Sequence, residues 1–192
     1  MTGLRPGVAG LWDRLVGPGA TPGEGWLTAS WALACAVAAV GYALVAHLGW
    51  SPAQLAVAAL VAADVGGGVS ANASNSAKRW FHRPGQGARQ HLLFVFGHVH
   101  PFALVLVFPS FGWGAAAAVY SYLLAASLAV VFVPLYLKRP VAFVAYCGAL
   151  LVSLYAVGAP AGLEWFAPFF FLKLLVAHLL PEEAYRPAKG EA

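Results

Sequence analysis

Asp64, His98 and Lys173 each interrupt a long apolar run of the chain. An ionisable side chain at the centre of a membrane helix costs about 2.5–3.5 kcal/mol even on lenient insertion scales, so such residues mark functional sites by default. Counted from the ends of their runs, Asp64 is twelve residues deep, His98 ten and Lys173 eleven. At a rise of 1.5 Å per residue, all three fall roughly 15–18 Å inside a hydrocarbon core about 30 Å thick. Three runs thus place a carboxylate, an imidazole and an ammonium in one layer near the midplane. Pairing lowers their cost, so an Asp64–Lys173 ion pair with His98 close by is expected. Chemically, a carboxylate beside an imidazole supports proton transfer. The plain structural alternative is a pair that only fixes helix packing, for which a buried ion pair is weak evidence.

The segment Gly97-His98-Val99-His100-Pro101 adds a second imidazole. On a regular helix His98 and His100 point about 200° apart and cannot share a ligand. Pro101 removes a backbone donor and disfavours helical geometry at His100, so a kink that turns both rings toward one cavity is expected. His91 lies seven residues before His98 and shares its face, and His178 lies near the inner end of the last apolar run. Neutral imidazoles ligate metals, which makes His91, His98, His100 and His178 the candidates for a divalent metal. No HxxxH or HxxEH spacing supports that cofactor.

Around Asp64, residues Gly67, Gly68, Ala71 and Asn75 share its face at 100° per residue, with Asn72 at the margin. Small residues admit a neighbouring helix or a ligand. The asparagines offer hydrogen bonds that could orient an imidazole or a head group. The run Asp64-Val65-Gly66-Gly67-Gly68 is a poor helix former. Either an unwound segment lining a cavity or a tight helix crossing is expected there.

The polar segment from Ser76 to His91 carries Lys78, Arg79, His82, Arg83 and Arg89, with Trp80, Phe81 and two glycines. Lys and Arg grip phosphate oxygens, so these residues are the candidate clamp for a substrate head group. The alternative is a loop that sets topology and anchors at the interface.

The elements that must position these groups follow from composition. Of 192 residues, 61% are hydrophobic and only 9% charged, against roughly 45–50% and 25% in an average soluble domain. The expected fold is all-α: a polytopic integral membrane protein with a bundle of six transmembrane helices. The spans are about 26–48, 52–72, 91–108, 112–137, 140–157 and 162–180. All Lys and Arg except Lys173 fall in the N-terminal arm, the second and fourth loops and the tail. By the positive-inside rule both termini are then cytoplasmic, in the plasma (inner) membrane. Residues 1–25 form a cytoplasmic arm and 181–192 a cytoplasmic tail. In the arm, Val8, Leu11, Trp12, Leu15 and Val16 follow a helical stripe, which predicts a short interfacial helix. The first apolar stretch is too long for a signal peptide. The alanine and glycine richness suggests a bacterial source. Cys35 and Cys147 lie within apolar runs, and no disulfide is expected.

Three functions compete. The favoured one is a membrane-embedded enzyme acting on a lipid or isoprenoid substrate from the cytoplasmic side. Asp64, His98, His100 and Lys173 would form its catalytic centre, with Asn72, Asn75, His91 and His178 in support. The second is a small proton-coupled transporter or channel, expected as a homodimer. The third is a non-catalytic assembly protein. Membrane lipids are the expected partners. Nucleic acid is not, because the net charge of +4 sits in short loops between apolar runs. A cavity open to the cytoplasm favours the enzyme, a polar path to the outer loops favours transport, and a core with no cavity favours the scaffold.

Overall fold

The computed structural model describes residues 4–182; the basic residues Arg186 and Lys189 and most of the expected tail lie outside them. The described residues are helical throughout, and no strand occurs among them. Five helices are long and apolar enough to cross a membrane: Pro22–Val45, Pro52–Ala73, Ala88–Val107, Trp113–Phe132 and Leu135–Val157. That fits a helical membrane protein.

A short helix, α1 (Gly7–Val16), comes first. Its end is fixed by Gly17 at φ 86°, where any Cβ would collide with the backbone of Ser76. The carbonyl of Val16 accepts from the Ser76 hydroxyl at 2.5 Å. The apolar residues Val8, Leu11 and Leu15 are left uncovered by the protein.

The helix α2 (Pro22–Val45) starts four residues before the expected Trp26. The reason is a capping box, in which Thr21 and Glu24 satisfy each other's backbone donors behind Pro22. The other Glu24 oxygen accepts from the Ser76 backbone N–H at 3.0 Å. One carboxylate therefore ties the start of α2 to the start of α4 (Asn75–Phe81). A second capping box, Ser51 with Gln54, opens α3 (Pro52–Ala73).

α3 is one unbroken helix through Gly66, Gly67 and Gly68, so the glycine run does not unwind it. The glycines serve close approach instead. A side chain at Gly66 would strike Cys35, and one at Gly67 would lie 2.6 Å from the Ala32 Cβ, both on α2. Tight packing offsets the poor helix propensity.

Ser74 breaks the chain and caps α4 (Asn75–Phe81). The third apolar run is two helices, α5 (Ala88–Phe96) and α6 (His100–Val107), separated at 97–99. Pro101 lies in the first turn of α6, where its missing N–H is harmless. The fourth run ends earlier than 137: α7 (Trp113–Phe132) stops before Pro134, which caps α8 (Leu135–Val152). Lys138 and Arg139, expected in a loop, are therefore in the first turns of a helix. α8 runs on as a π-helical turn to Val157.

The last run forms α9 (Phe166–Phe171) and a π-helical continuation over Leu172–His178. It is shorter than the five long helices. Its side chains are the core: Phe166, Phe170, Phe171, Leu174 and Leu175 are all wholly buried. This segment is the post around which α3, α7 and α8 pack.

Candidate functional site

Asp64 projects from the middle of α3 toward two other elements. Its Oδ2 accepts from Lys173 Nζ at 2.7 Å and lies 3.0 Å from His100 Nε2. Lys173 is 3% exposed, yet the Asp64 side chain is 46% exposed. The ammonium is thus sealed in protein while the carboxylate is open. Lys173 reaches Asp64 because position 68 is glycine: a Cβ there would sit 2.9 Å from Nζ and nearer still to the aliphatic stem.

The break in the third run arranges the imidazoles. The His98 backbone N–H bonds to Val95 rather than to Phe94. The freed Phe94 carbonyl accepts from His98 Nδ1 at 2.7 Å. That bond makes Nδ1 the protonated nitrogen and leaves the His98 Nε2 lone pair available as a base. The His98 and His100 rings lie side by side, 5.4 Å apart and 27° from parallel. His100 donates through Nε2 to Asp64, and its buried Nδ1 has no partner. The kink expected from Pro101 is present, and it turns both rings to the Asp64 layer.

A cavity of about 240 Å³ adjoins this cluster. Asp64, Gly67, Gly68, Ala71 and Asn72 form one wall, Phe94, His98 and Lys173 another. Trp12, Arg14 and Leu15 of α1 line its other end. α3 packs against α6 but has no comparable packing on α5, so the cavity occupies the gap between α3 and α5. Asn72 is buried at its edge, whereas Asn75 heads α4 and does not line it.

The other candidates lie nearer the basic end of the bundle, where α1 and α4 meet. Lys78, a candidate for the head-group clamp, donates through Nζ to the carbonyls of Ala177 and Leu180 at 2.6 and 2.7 Å, ending the last helix. Burial pulls its ammonium down to about 8, with Glu182 acting the other way. Arg83 stacks over the Trp80 ring at 3.5 Å and donates to the Trp80 carbonyl. The charge of Arg79 acts on Glu24. Arg89 is exposed in the first turn of α5. None of these four, nor His82, lines the Asp64 cavity.

His82, His91 and His178 gather separately. His82 Nε2 donates to the His178 carbonyl at 2.9 Å, and His91 Nδ1 lies 3.3 Å from His178 Nε2. The His82 and His91 rings stack at 4.5 Å. Burial, then the neighbouring His91, holds His82 down to about 4. Lys173 and His178 both lie on the π-helical segment. There, residue i+5 sits over residue i, whereas α-helical winding would set them about 140° apart. Phe94 joins the two clusters, stacked on His178 at 3.9 Å and tilted against His98 at 4.6 Å. Among the described residues no three His, Cys, Asp or Glu side chains are arranged to hold a metal ion.

Sequence reasoning missed Trp12 and Arg14 as cavity residues. Their helical spacing was legible, but their meeting with α3 and α5 depends on the Val16–Ser76 junction.

Comparison with protein-family models, curated proteins and solved structures gives no match. The fold and the site define a helical membrane protein with an open polar centre, and its function must be read from that centre.

Proposed function

We propose that this protein is a membrane-embedded enzyme acting on a lipid or isoprenoid substrate that enters from the cytoplasmic leaflet. The observation that carries this reading is the half-exposed Asp64 carboxylate, bonded to Lys173 and His100 at the inner end of an open cavity. A packing pair would be sealed on both sides. Here Oδ2 serves both the Lys173 ammonium and the His100 imidazole, and no bond forms on the other oxygen among the described residues.

The roles follow from the bonds. His98 Nε2 is the general base, held in the right tautomer by the Phe94 carbonyl. Asp64 orients His100 and stabilises it when it takes up a proton. Lys173 pairs with the Asp64 carboxylate and holds it in place beside the cavity. In this reading six helices span the bilayer, the last as a short central post. α1 lies at the cytoplasmic interface, and both termini are cytoplasmic, as the Lys and Arg distribution supports.

The imidazoles also suggest a proton path for a transporter. That path is interrupted by the Phe94 ring between His178 and His98. On the far side of Asp64, Ala58, Val61, Leu104, Phe108 and Phe166 are buried and apolar, which disfavours transport. The cavity disfavours a purely structural scaffold.

The test is a lipid comparison of membranes from cells making the wild-type chain, the Asp64→Asn variant or no protein. The expected result is one lipid that builds up with Asp64→Asn and falls with the wild type. Identical profiles in all three, with Asp64→Asn inserted at wild-type level, would sink the enzyme reading.

A further inference from the structure

We infer that the Asp64 cavity takes a phosphate-bearing anionic lipid, its phosphate held by Arg14 at the mouth and its chain running inward to Asp64 and His98. The inference rests on the reading of that cavity as a substrate site and specifies what the site recognises.

Arg14 is the basic residue that faces the mouth. Lys173, the other cation lining the cavity, is occupied by Asp64. The neighbouring cations are engaged elsewhere: Arg5 with Asp13 at 2.6 Å, Lys78 with two carbonyls, Arg83 with Trp80. Arg14 is exposed, and no ion pair forms on it among the described residues. A guanidinium in that position matches a phosphate, with two parallel donors for two oxygens.

The helix that carries Arg14 is built to lie among lipids. Val8 is 83% exposed, Leu11 62% and Leu15 59%. Water would not favour that face, and the boundary of head groups and acyl chains would. Trp12, beside Arg14, is of the type enriched at that level. α1 is held there by Arg5 chelating Asp13, by Gly17 pressed on Ser76, and by the Val16 carbonyl. The mouth is therefore fixed at phosphate depth.

The walls say which part of the lipid lies against the polar centre. Asn72, at the mouth, is eight residues along α3 from Asp64, about 12 Å. Between them the lining is small and mostly apolar, with Ala29, Ala32, Gly67 and Gly68, and the Thr28 hydroxyl there is already bonded to Ser70. A hydrocarbon chain fits that stretch, and a head group would leave its polar atoms unbonded. So the polar centre addresses a position on the chain, about 12 Å below the phosphate, and the phosphate ester itself stays at Arg14.

The test measures binding, not turnover. Purified protein in mild detergent is mixed with phosphatidic acid, diacylglycerol of the same chains, or inorganic phosphate, and bound lipid is counted by native mass spectrometry. The wild type should prefer phosphatidic acid over diacylglycerol about tenfold, and Arg14→Gln should abolish that preference, as for one charge-assisted contact. Arg14→Lys should retain part of it, and Arg139→Gln, a charge loss at an exposed residue elsewhere, all of it. A phosphatidic acid with a mid-chain diazirine should label the Asp64 and His98 peptides, and one with the diazirine near the glycerol should label α1.

Equal binding by Arg14→Gln and wild type would overturn the inference. So would equal loss in Arg139→Gln, displacement of lipid by inorganic phosphate alone, or mid-chain labelling confined to α1. Retained Arg14-dependent binding together with unchanged lipid profiles in cells would leave this site standing and remove the enzyme reading.

Discussion

Two clusters of buried polar groups share this bundle, and they are built on opposite terms. At the basic end, Lys78 and His82 donate to backbone carbonyls at the end of the last helix. Their polar atoms replace the hydrogen bonds that a helix end lacks. In the middle, Lys173 and His100 bond to Asp64, and His98 bonds to the Phe94 carbonyl beside them. Their carboxylate is half open, and one imidazole nitrogen is unpartnered. The first cluster is mostly consumed by structure, with His178 Nδ1 its buried atom without a partner. The second opens its unused bonding capacity to a cavity, and that opening is what supports the proposed substrate site. Residue type did not distinguish them, because both contain lysine and histidine.

The largest expected effect tests the middle cluster. Asp64→Ala strands the sealed Lys173 ammonium, so it should cost about 3 kcal/mol, the low end for breaking a buried pair. The double change with Lys173→Met should recover most of that loss. Unfolding in mixed micelles measures both. If the double variant is no more stable than the single one, the pair is not coupled and the contrast between the clusters fails.

Lys78→Met should cost about 2 kcal/mol, since it removes charge-assisted bonds to two carbonyls. Lipid turnover should survive in the fraction that stays folded. A loss of turnover with full stability would move Lys78 into the site and erase the distinction.

Gly68→Ala places a methyl 2.6 Å from the Lys173 stem. Displacing the ammonium should cost about 1–2 kcal/mol and reduce activity with it. Gly41→Ala, which meets open space, should leave stability unchanged or raise it by up to about 1 kcal/mol. Equal effects at the two glycines would show that the methyl does not reach the ion pair.

The smallest effect is the pH dependence of the basic end. His82 is held at about 4, against 6.5 in an unfolded chain. As pH falls below about 6.5 the unfolded chain takes a proton that the folded protein refuses until about 4, so stability present above 6.5 is lost on acidification. Melting temperatures across that range should fall with pH, and His82→Gln should flatten the slope. A slope unchanged by His82→Gln would assign the effect to another group.

Much of the fold was legible because apolar run length is a local property. The positions of the long helices, the kink before Pro101 and the layer that joins Asp64 to Lys173 all follow from counting residues along runs. Reading α7 through to 137 failed because Pro134 caps a new helix whose first turns include Lys138 and Arg139. The glycine run did not unwind, because α2 packs so closely on Gly66 and Gly67. Whether Lys78 and Arg83 face a ligand or the protein was open in the sequence, since a basic loop looks the same either way; Lys78 bonds a helix end and Arg83 stacks on Trp80.

By itself the sequence determined the class of protein, the level along their helices at which the charged residues sit and the approximate places of the main helices, since hydropathy and residue count act over neighbouring residues. The tertiary structure alone decided which polar groups were left open. That depends on how helices distant in sequence meet: α1 docks on Ser76 through Val16, and α3 parts from α5. Lys173 slips past Gly68 to reach Asp64. No periodicity in the chain encodes those meetings, because each is set by the shapes of two surfaces at once.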